Sequence, residues 1–377
     1  ADKPRPNELI SRFAGNTSTD GIAYASHSRY FTVNQQYLAE YKTDFKGSKH
    51  NLDILAGFEQ YKYKSQGISG QNDHLFDPFI GELNNADGTD SKQLSSSTSD
   101  YMTMGFFGRL QYDYAGRYFV GASYRRDASS RFAQGHRWGD FGSASFAWLI
   151  SKENWFNASW VDLLKLKVSY GVQGNDNLGS FFPYSDQYTH SYNAETNEYS
   201  SGLSYKGNEN LTWESSHSLN YGVDFSLFNG KFNGTIEGFN RTTSNLLYSK
   251  DVPLSSGNPT GYMPVNVGSI SNVGVEASLD GIIFNRRNFK WTWNLNLSHY
   301  KNKITELTGE SSIVKTGGIG SGTGNTVQVQ KVGYPANSFY VYQQVYDQAG
   351  KPIEGVYVDR NADGKISEED LYVYKSP

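Results

Sequence analysis

The chain has 377 residues, 34 Lys and Arg against 38 Asp and Glu, a formal net charge of -4 and no cysteine. The lack of cysteine excludes disulfides, thiolate metal sites and cysteine nucleophiles, and basic residues dispersed along a mildly acidic chain exclude a nucleic-acid-binding field. Mean hydropathy is -0.62 although 15% of residues are aromatic, and no stretch approaches the roughly 20 consecutive apolar residues of a membrane helix, so any membrane crossing falls to strands.

Residues 1–20 read as a lead-in segment. Ala1 to Pro6 carry no signal-peptide pattern, although a secreted barrel requires one upstream, so the leader is expected to be removed or the chain to be part of a longer protein. From 21 to 346 the chain falls into roughly eleven long segments of period-two polarity. At 164–173, Leu164, Leu166, Val168, Tyr170 and Val172 alternate with Lys165, Lys167, Ser169, Gly171 and Gln173. At 218–228, Leu219, Tyr221, Val223, Phe225 and Leu227 alternate with Ser218, Asn220, Gly222, Asp224 and Ser226. At 289–297, Phe289, Trp291, Trp293, Leu295 and Leu297 alternate with Lys290, Thr292, Asn294 and Asn296. Successive strand side chains point to opposite faces, so each run has one apolar and one polar face.

Tight turns rich in Gly, Asn and charge are expected at 46–49, 114–117, 229–231 and 285–288. They alternate with long connections at 65–100, 174–213, 245–265 and 303–335, so all long loops emerge at one end. Strands of a soluble sandwich average about five or six residues, whereas crossing a bilayer takes roughly nine to eleven. The pattern predicts an all-β fold, an antiparallel transmembrane β-barrel with short periplasmic turns and long extracellular loops, lipid on the apolar face and water on the other. Trp138, Trp148, Trp291, Trp293, Tyr112 and Tyr114 fall at strand ends, where an interfacial girdle belongs.

Five blocks in order along the chain resemble the SusC/RagA group of TonB-dependent outer-membrane transporters of Bacteroidetes. The most specific, at 107–155, holds an R-x-D-x-S-S-R-F run from Arg125 to Phe132 and ends in Trp155. LKLKVSYGVQGND at 164–176, the strand pair at 209–248, NVGSISNVGVEASL at 266–279 and YVDRNADGKISEED at 357–370 complete the series. The resemblance implies a barrel of about 22 strands, of which 21–346 would supply about half. It also implies an amino-terminal plug domain, a TonB-engaging segment upstream and further strands beyond 377. Outer-membrane location, a SusD-like surface lipoprotein as partner, contact with the TonB complex and a glycan or peptide substrate are implied in the same way.

Residues 347–377 read as a loop region with a calcium-loop-like motif. Asp359, Asn361, Asp363, Gly364, Lys365, Ser367 and Asp370 occupy positions 1, 3, 5, 6, 7, 9 and 12 of that loop. The candidate ligands are the side chains of Asp359, Asn361, Asp363 and Asp370 with the Lys365 carbonyl, for a structural Ca2+. The alternative reading is an Asx-rich turn capping a short helix from Ser367.

The seven His residues are scattered singly without HExxH, GxSxG or triad spacing, so no enzyme is expected. GGIGSGTG at 317–324 lacks the Lys-Ser/Thr ending of a phosphate loop. Arg125, Arg126, Asp127, Arg131, Arg137 and Asp140 read as a charge network ordering a loop rather than a ligand site. Phe76, Phe79, Tyr184, Tyr188, Tyr192 and Tyr199 lie in long loops, where rings stack on sugars, on peptides or on one another. Active import is the favoured function. A passive porin or adhesin is the alternative, and a soluble secreted all-β enzyme the weakest reading.

Overall fold

In a computed structural model, residues 22–45, 49–77, 79–86, 93–307, 313–318 and 326–374 are described. The lead-in at 1–20, the turn residues 46–48 and most of the glycine-rich run, 319–324, lie outside them.

The first six strands are β1 (Ile22–Asp44), β2 (His50–Asp73), β3 (Gln93–Tyr114), β4 (Tyr118–Ser129), β5 (Trp138–Leu149) and β6 (Val161–Asn175). A hairpin of β7 (Gln187–Asn193) and β8 (Glu198–Tyr205) precedes β9 (Glu214–Leu227) and β10 (Phe232–Ser244). A second hairpin, β11 (Leu247–Asp251) and β12 (Tyr262–Asn266), precedes β13 (Ser269–Arg286) and β14 (Phe289–Glu306). The long strands form one ten-stranded sheet in the order β1-β2-β3-β4-β5-β6-β9-β10-β13-β14. The sheet thus has ten strands where roughly eleven are expected, because alternating sequence inside the long connections pairs locally instead of joining it. Beyond it, β15 (Ile313–Gly318), β16 (Thr326–Lys331) and β17 (Ser338–Val341) pair in succession, and β18 (Gln344–Tyr346) pairs with β19 (Pro352–Tyr357).

Contacts divide the chain into two compact units, one from Ala1–Tyr37, Phe58–Gly105 and Ala128–Ser130, the other from Leu38–Gly57, Phe106–Asp127 and Arg131–Pro377. In the first, Ala23, Leu75, Ala86 and Leu83 form a small apolar cluster. A bridge between Leu75 and Ala86 closes it. The strands entering this unit correct the expected loop at 65–100: β2 runs on to Asp73 and β3 begins at Gln93. At 24 and 22 residues both strands are about twice the length that a bilayer requires.

In the second unit the apolar positions of β6 and β9 lie open: Leu166 is 39% exposed, Val168 42%, Leu219 39% and Tyr221 56%. Their polar neighbours Lys165, Lys167 and Asp224 are only partly exposed. The accessible surface of the chain is 25304 Å², against about 15,000 Å² for a compact soluble protein of this mass. Among the described residues of this unit the large apolar side chains of β6 and β9 thus stay open on one face of the sheet, as lipid contact demands, instead of packing into a dry interior.

The expected short turns are present where described. At 114–117, Ala115 and Gly116 both adopt positive φ, 55° and 61°, the backbone that matches the twist of paired strands. Aromatic rings cluster beside this turn: Tyr114 stacks on Tyr118 at 6.2 Å, Tyr118 on Trp148 at 6.3 Å and Trp148 meets Trp155 at 6.3 Å. Glu153 fastens this end, accepting hydrogen bonds from Tyr118 Oη at 2.6 Å and Trp148 Nε1 at 3.0 Å. Those two donors hold its carboxyl below the usual carboxylate range.

Candidate functional site

The polar face of the second unit is a charged wall whose rows follow from strand register. Lys165 on β6 lies opposite Asp224 on β9, which lies opposite Thr235 on β10. One step along, Lys167 and Glu237 both face Gly222. With no side chain at Gly222, Lys167 reaches across β9 to form an ion pair with Glu237, while also contacting Asp224 at 2.8 Å. Lys165 adds a contact to Asp224 at 3.6 Å and Thr235 Oγ1 donates to it at 2.9 Å. A Cβ on Gly222 would lie 2.7 Å from the Ile236 carbonyl and 2.8 Å from Glu237 Cγ. The glycine is thus the gap that lets the row form.

A second group on the same face joins Lys42 to Glu40 at 2.8 Å and to Asp53 at 3.7 Å, with Arg109 3.6 Å from Asp53. Between the two groups runs a groove of about 880 Å³, lined among others by Lys42, Asp53, Asp113, Lys167, Asn220 and Glu237. Paired ions and amides at this density suit a surface that meets water or another polar body, since unpaired charge facing lipid costs several kcal/mol.

The opposite face shows a different use of glycine. Tyr221 lies over Gly238 on the neighbouring strand and Trp293 over Gly281. Each large ring covers backbone that the glycine leaves bare, an arrangement that fixes register as well as surface.

At the far end of the strands the R-x-D-x-S-S-R-F run orders the connection between β4 and β5. Arg125 Nε sits 2.7 Å from both Asp127 oxygens, Arg126 is 3.7 Å from Asp140, and Arg131 pairs with Asp176 at 3.1 Å. Arg137 donates to the Phe132 carbonyl at 3.1 Å, and the buried Phe132 ring packs on Trp213 at 5.4 Å. The Arg125–Asp127 pair lies within β4 and Arg126–Asp140 joins β4 to β5, while Arg131 and Arg137 pair from within the connection, so the named charges surround the loop as a network.

Five positions in the acidic loop were expected to ligate metal. Asp359 accepts from the amides of Asp363 at 3.2 Å and Gly364 at 2.7 Å, and Asn361 Oδ1 accepts from the Asp363 amide at 3.1 Å. Asp363 Oδ1 accepts from the Lys365 amide at 2.8 Å. Asp370 is fully buried and closes a capping box with Ser367, accepting from the amides of Ser367 at 2.8 Å and Arg360 at 2.7 Å. Those amides, Ser367 first, hold its carboxyl below the usual range. Asp359, Asn361 and Asp363 are brought together, while Asp370 is turned to the backbone of the loop. Among the described residues no three His, Asp or Glu side chains stand as a ready metal cage.

The sequence matches the family model described as TonB dependent receptor-like, beta-barrel, over residues 6–360. The chain belongs to that TonB-dependent receptor β-barrel family. It is accordingly an outer-membrane β-barrel protein, whose membrane crossing is made by strands. It is 37% identical to the TonB-dependent receptor SusC of Bacteroides thetaiotaomicron over 87% of this chain and 33% of that one. It is 30% identical to the TonB-dependent receptor P26 of Formosa agariphila over 99% of this chain and 38% of that one. Among solved structures, the RagAB peptide transporter superposes with a TM-score of 0.75 at 25% identity, over 94% of this chain and 37% of that chain. The chain thus spans between about a third and two fifths of the length of these receptors. For this TonB-dependent receptor barrel, the sequence located the polar strand faces but missed Gly222. Its signal, a glycine in an otherwise regular run, acquires meaning only once register places Lys167 and Glu237 on either side.

Proposed function

We propose that the protein takes part in TonB-dependent import of a nutrient, a glycan or a peptide, across the outer membrane together with a SusD-like surface lipoprotein. The observation that carries this reading is the wall of paired charges around Lys167, on strands whose other face is left to lipid, in a chain akin to SusC. A polar wall can line a path for a hydrophilic solute while the oily face holds the barrel in place. Energy from TonB distinguishes import from the passive porin or adhesin.

Deletion of the gene is expected to abolish growth on the nutrient as sole carbon or nitrogen source. Complementation should restore it in a strain with functional TonB and fail in one without. Uptake that persists without TonB would assign the barrel to the passive class. Co-purification of a surface lipoprotein with the tagged receptor tests the partner. For the acidic loop we propose a structural role, in which calcium adds to the amide-held turn through the oxygens of Asp359, Asn361 and Asp363 and the Lys365 carbonyl.

A further inference from the structure

The hairpin of β7 and β8, in the connection between β6 and β9, has two unlike faces. Register places Tyr192 opposite Tyr199, His190 opposite Ser201 and Tyr188 opposite Leu203 on one face. Thr189, Ser191 and Asn193 with Glu198, Ser200 and Gly202 occupy the other. The only formal charge in the two strands, Glu198, is on that second face. On the first face Tyr188 is 57% exposed, Tyr192 51% and Tyr199 81%, so three large rings of this hairpin each keep more than half of their surface open among the described residues.

The base of the hairpin is firmly held. Asp186 and Lys206 pair at 2.7 Å and the Gly207 amide donates to Asp186 at 2.9 Å. The Asn208 amide donates to the Pro183 carbonyl at 3.1 Å, Asn208 Nδ2 reaches the Pro264 carbonyl at 2.9 Å, and Leu211 is fully buried. The tyrosines are themselves set: the Tyr192 and Tyr199 rings lie 4.9 Å apart at 44°, and Tyr192 Oη donates to Asn197 at 2.6 Å. His190 Nδ1 and Ser201 Oγ lie 2.7 Å apart between the rings. A fixed base with an open aromatic face lowers the ordering cost of binding.

We propose that the Tyr188, Tyr192 and Tyr199 face is a platform for a neutral carbohydrate. The C–H face of a sugar ring is apolar and matches a flat phenol, while its hydroxyls need partners that both donate and accept. Tyr, Ser and His on this face supply such groups, and Lys206, the formal charge that neighbours Tyr188, is already paired with Asp186, which leaves little to hold a carboxylate or ammonium. A peptide captured by strand addition would instead be held through the edge backbone, with little use for three tyrosines on a face. The proposal rests on the import reading only in taking the hairpin as part of the extracellular surface, and binding is measured without transport.

The test uses the full-length receptor in detergent. Maltoheptaose, cellohexaose, xylohexaose and mannohexaose serve as neutral probes, with a hexagalacturonate and a blocked neutral hexapeptide for comparison, by calorimetry. Wild type is expected to bind one or more neutral glycans. Tyr192→Ala and Tyr199→Ala are each expected to weaken that binding roughly tenfold, with Thr189→Ala and Ser200→Ala, on the reverse face, unchanged. Heat-modifiable gel mobility reports that every variant is folded. No binding of any neutral probe by wild type, undiminished binding by the double tyrosine variant, or loss confined to the hexapeptide would each overturn the platform. TonB-independent uptake together with tyrosine-dependent glycan binding would sink the import reading and leave the platform standing. TonB-dependent uptake with tyrosine variants that bind as wild type would do the reverse.

Discussion

The strands β6, β9 and β10 and the distal parts of β2 and β3 are equally regular, yet different forces hold them. In the first region one face carries Leu166, Val168, Leu219 and Tyr221 and the other carries Lys165, Lys167, Asp224 and Glu237. The two solvents on either side of the sheet dictate that division. In the second region Gln66, Ser69 and Gln71 on β2 and Ser95, Ser96 and Thr98 on β3 continue the strands, and the large apolar residues among them, Ile68 and Leu94, stand singly and form no continuous oily face. There the ladder of backbone hydrogen bonds persists after the need for an apolar face has ended. Polarity patterning therefore reports where the membrane is, not where the strands are.

The largest contrast is expected from a charge on the oily face. Leu166→Arg should cost about 2–4 kcal/mol, as Arg does near a bilayer midplane, whereas Ser69→Arg on distal β2 should stay within about 0.5 kcal/mol. Denaturant unfolding in lipid vesicles measures both, and equal effects would erase the distinction between the regions. Next is Gly222→Val. Its side chain would collide with the Ile236 carbonyl and the Glu237 stem, at a cost of about 1–3 kcal/mol, and would part Lys167 from Glu237. Gly67→Val on distal β2, where the nearest atom to a Cβ is Ser97 Oγ at 3.3 Å, should cost less.

A smaller effect is expected from pH. Glu153 and Asp370 have carboxyls held below their ordinary range by hydrogen bonds. Each therefore stabilises the fold above the unfolded carboxylate pKa, and that contribution is lost as pH falls through the lower folded value. Glu153→Gln and Asp370→Asn should each flatten the acid limb of the melting curve and lower the Tm at neutral pH. An acid limb unchanged by both would remove these carboxyls as its source. The smallest effect concerns calcium, because amides already hold the acidic loop. Chelation should leave backbone exchange protection at 359–370 largely intact, and saturating Ca2+ should raise it modestly. Complete loss of protection on chelation would mean that the ion, and not the capping box at Ser367, shapes the loop.

Much of this was legible in the sequence for one reason. Where β6, β9 and β14 cross lipid, a residue's partner solvent follows from its parity, so Tyr221 and Asp224 could be assigned faces without coordinates. Beyond the membrane that rule lapses. Residues 65–73 and 93–100, rich in Ser, Gly and Gln, read as loop because neither face needs to be apolar, although they are strand. The β7–β8 and β11–β12 hairpins were hidden inside long connections for the same cause. At the candidate sites, the pairing of Arg125 with Asp127 was close in sequence and could be foreseen. The bridge from Lys167 to Glu237 spans two strand registers and could not. Asp370, a candidate ligand by its spacing, has its oxygens engaged by the amides of Ser367 and Arg360, an arrangement that the capping reading from Ser367 anticipates in part.

An apolar face that this chain cannot cover has a price before the protein reaches its destination. Made in water and inserted into a distant membrane, such a polypeptide has no water-soluble resting form to fold into along the way. Any delay in insertion exposes matching greasy ribbons to one another. Mutations that slow assembly should thus appear first as lost protein and only later as lost activity.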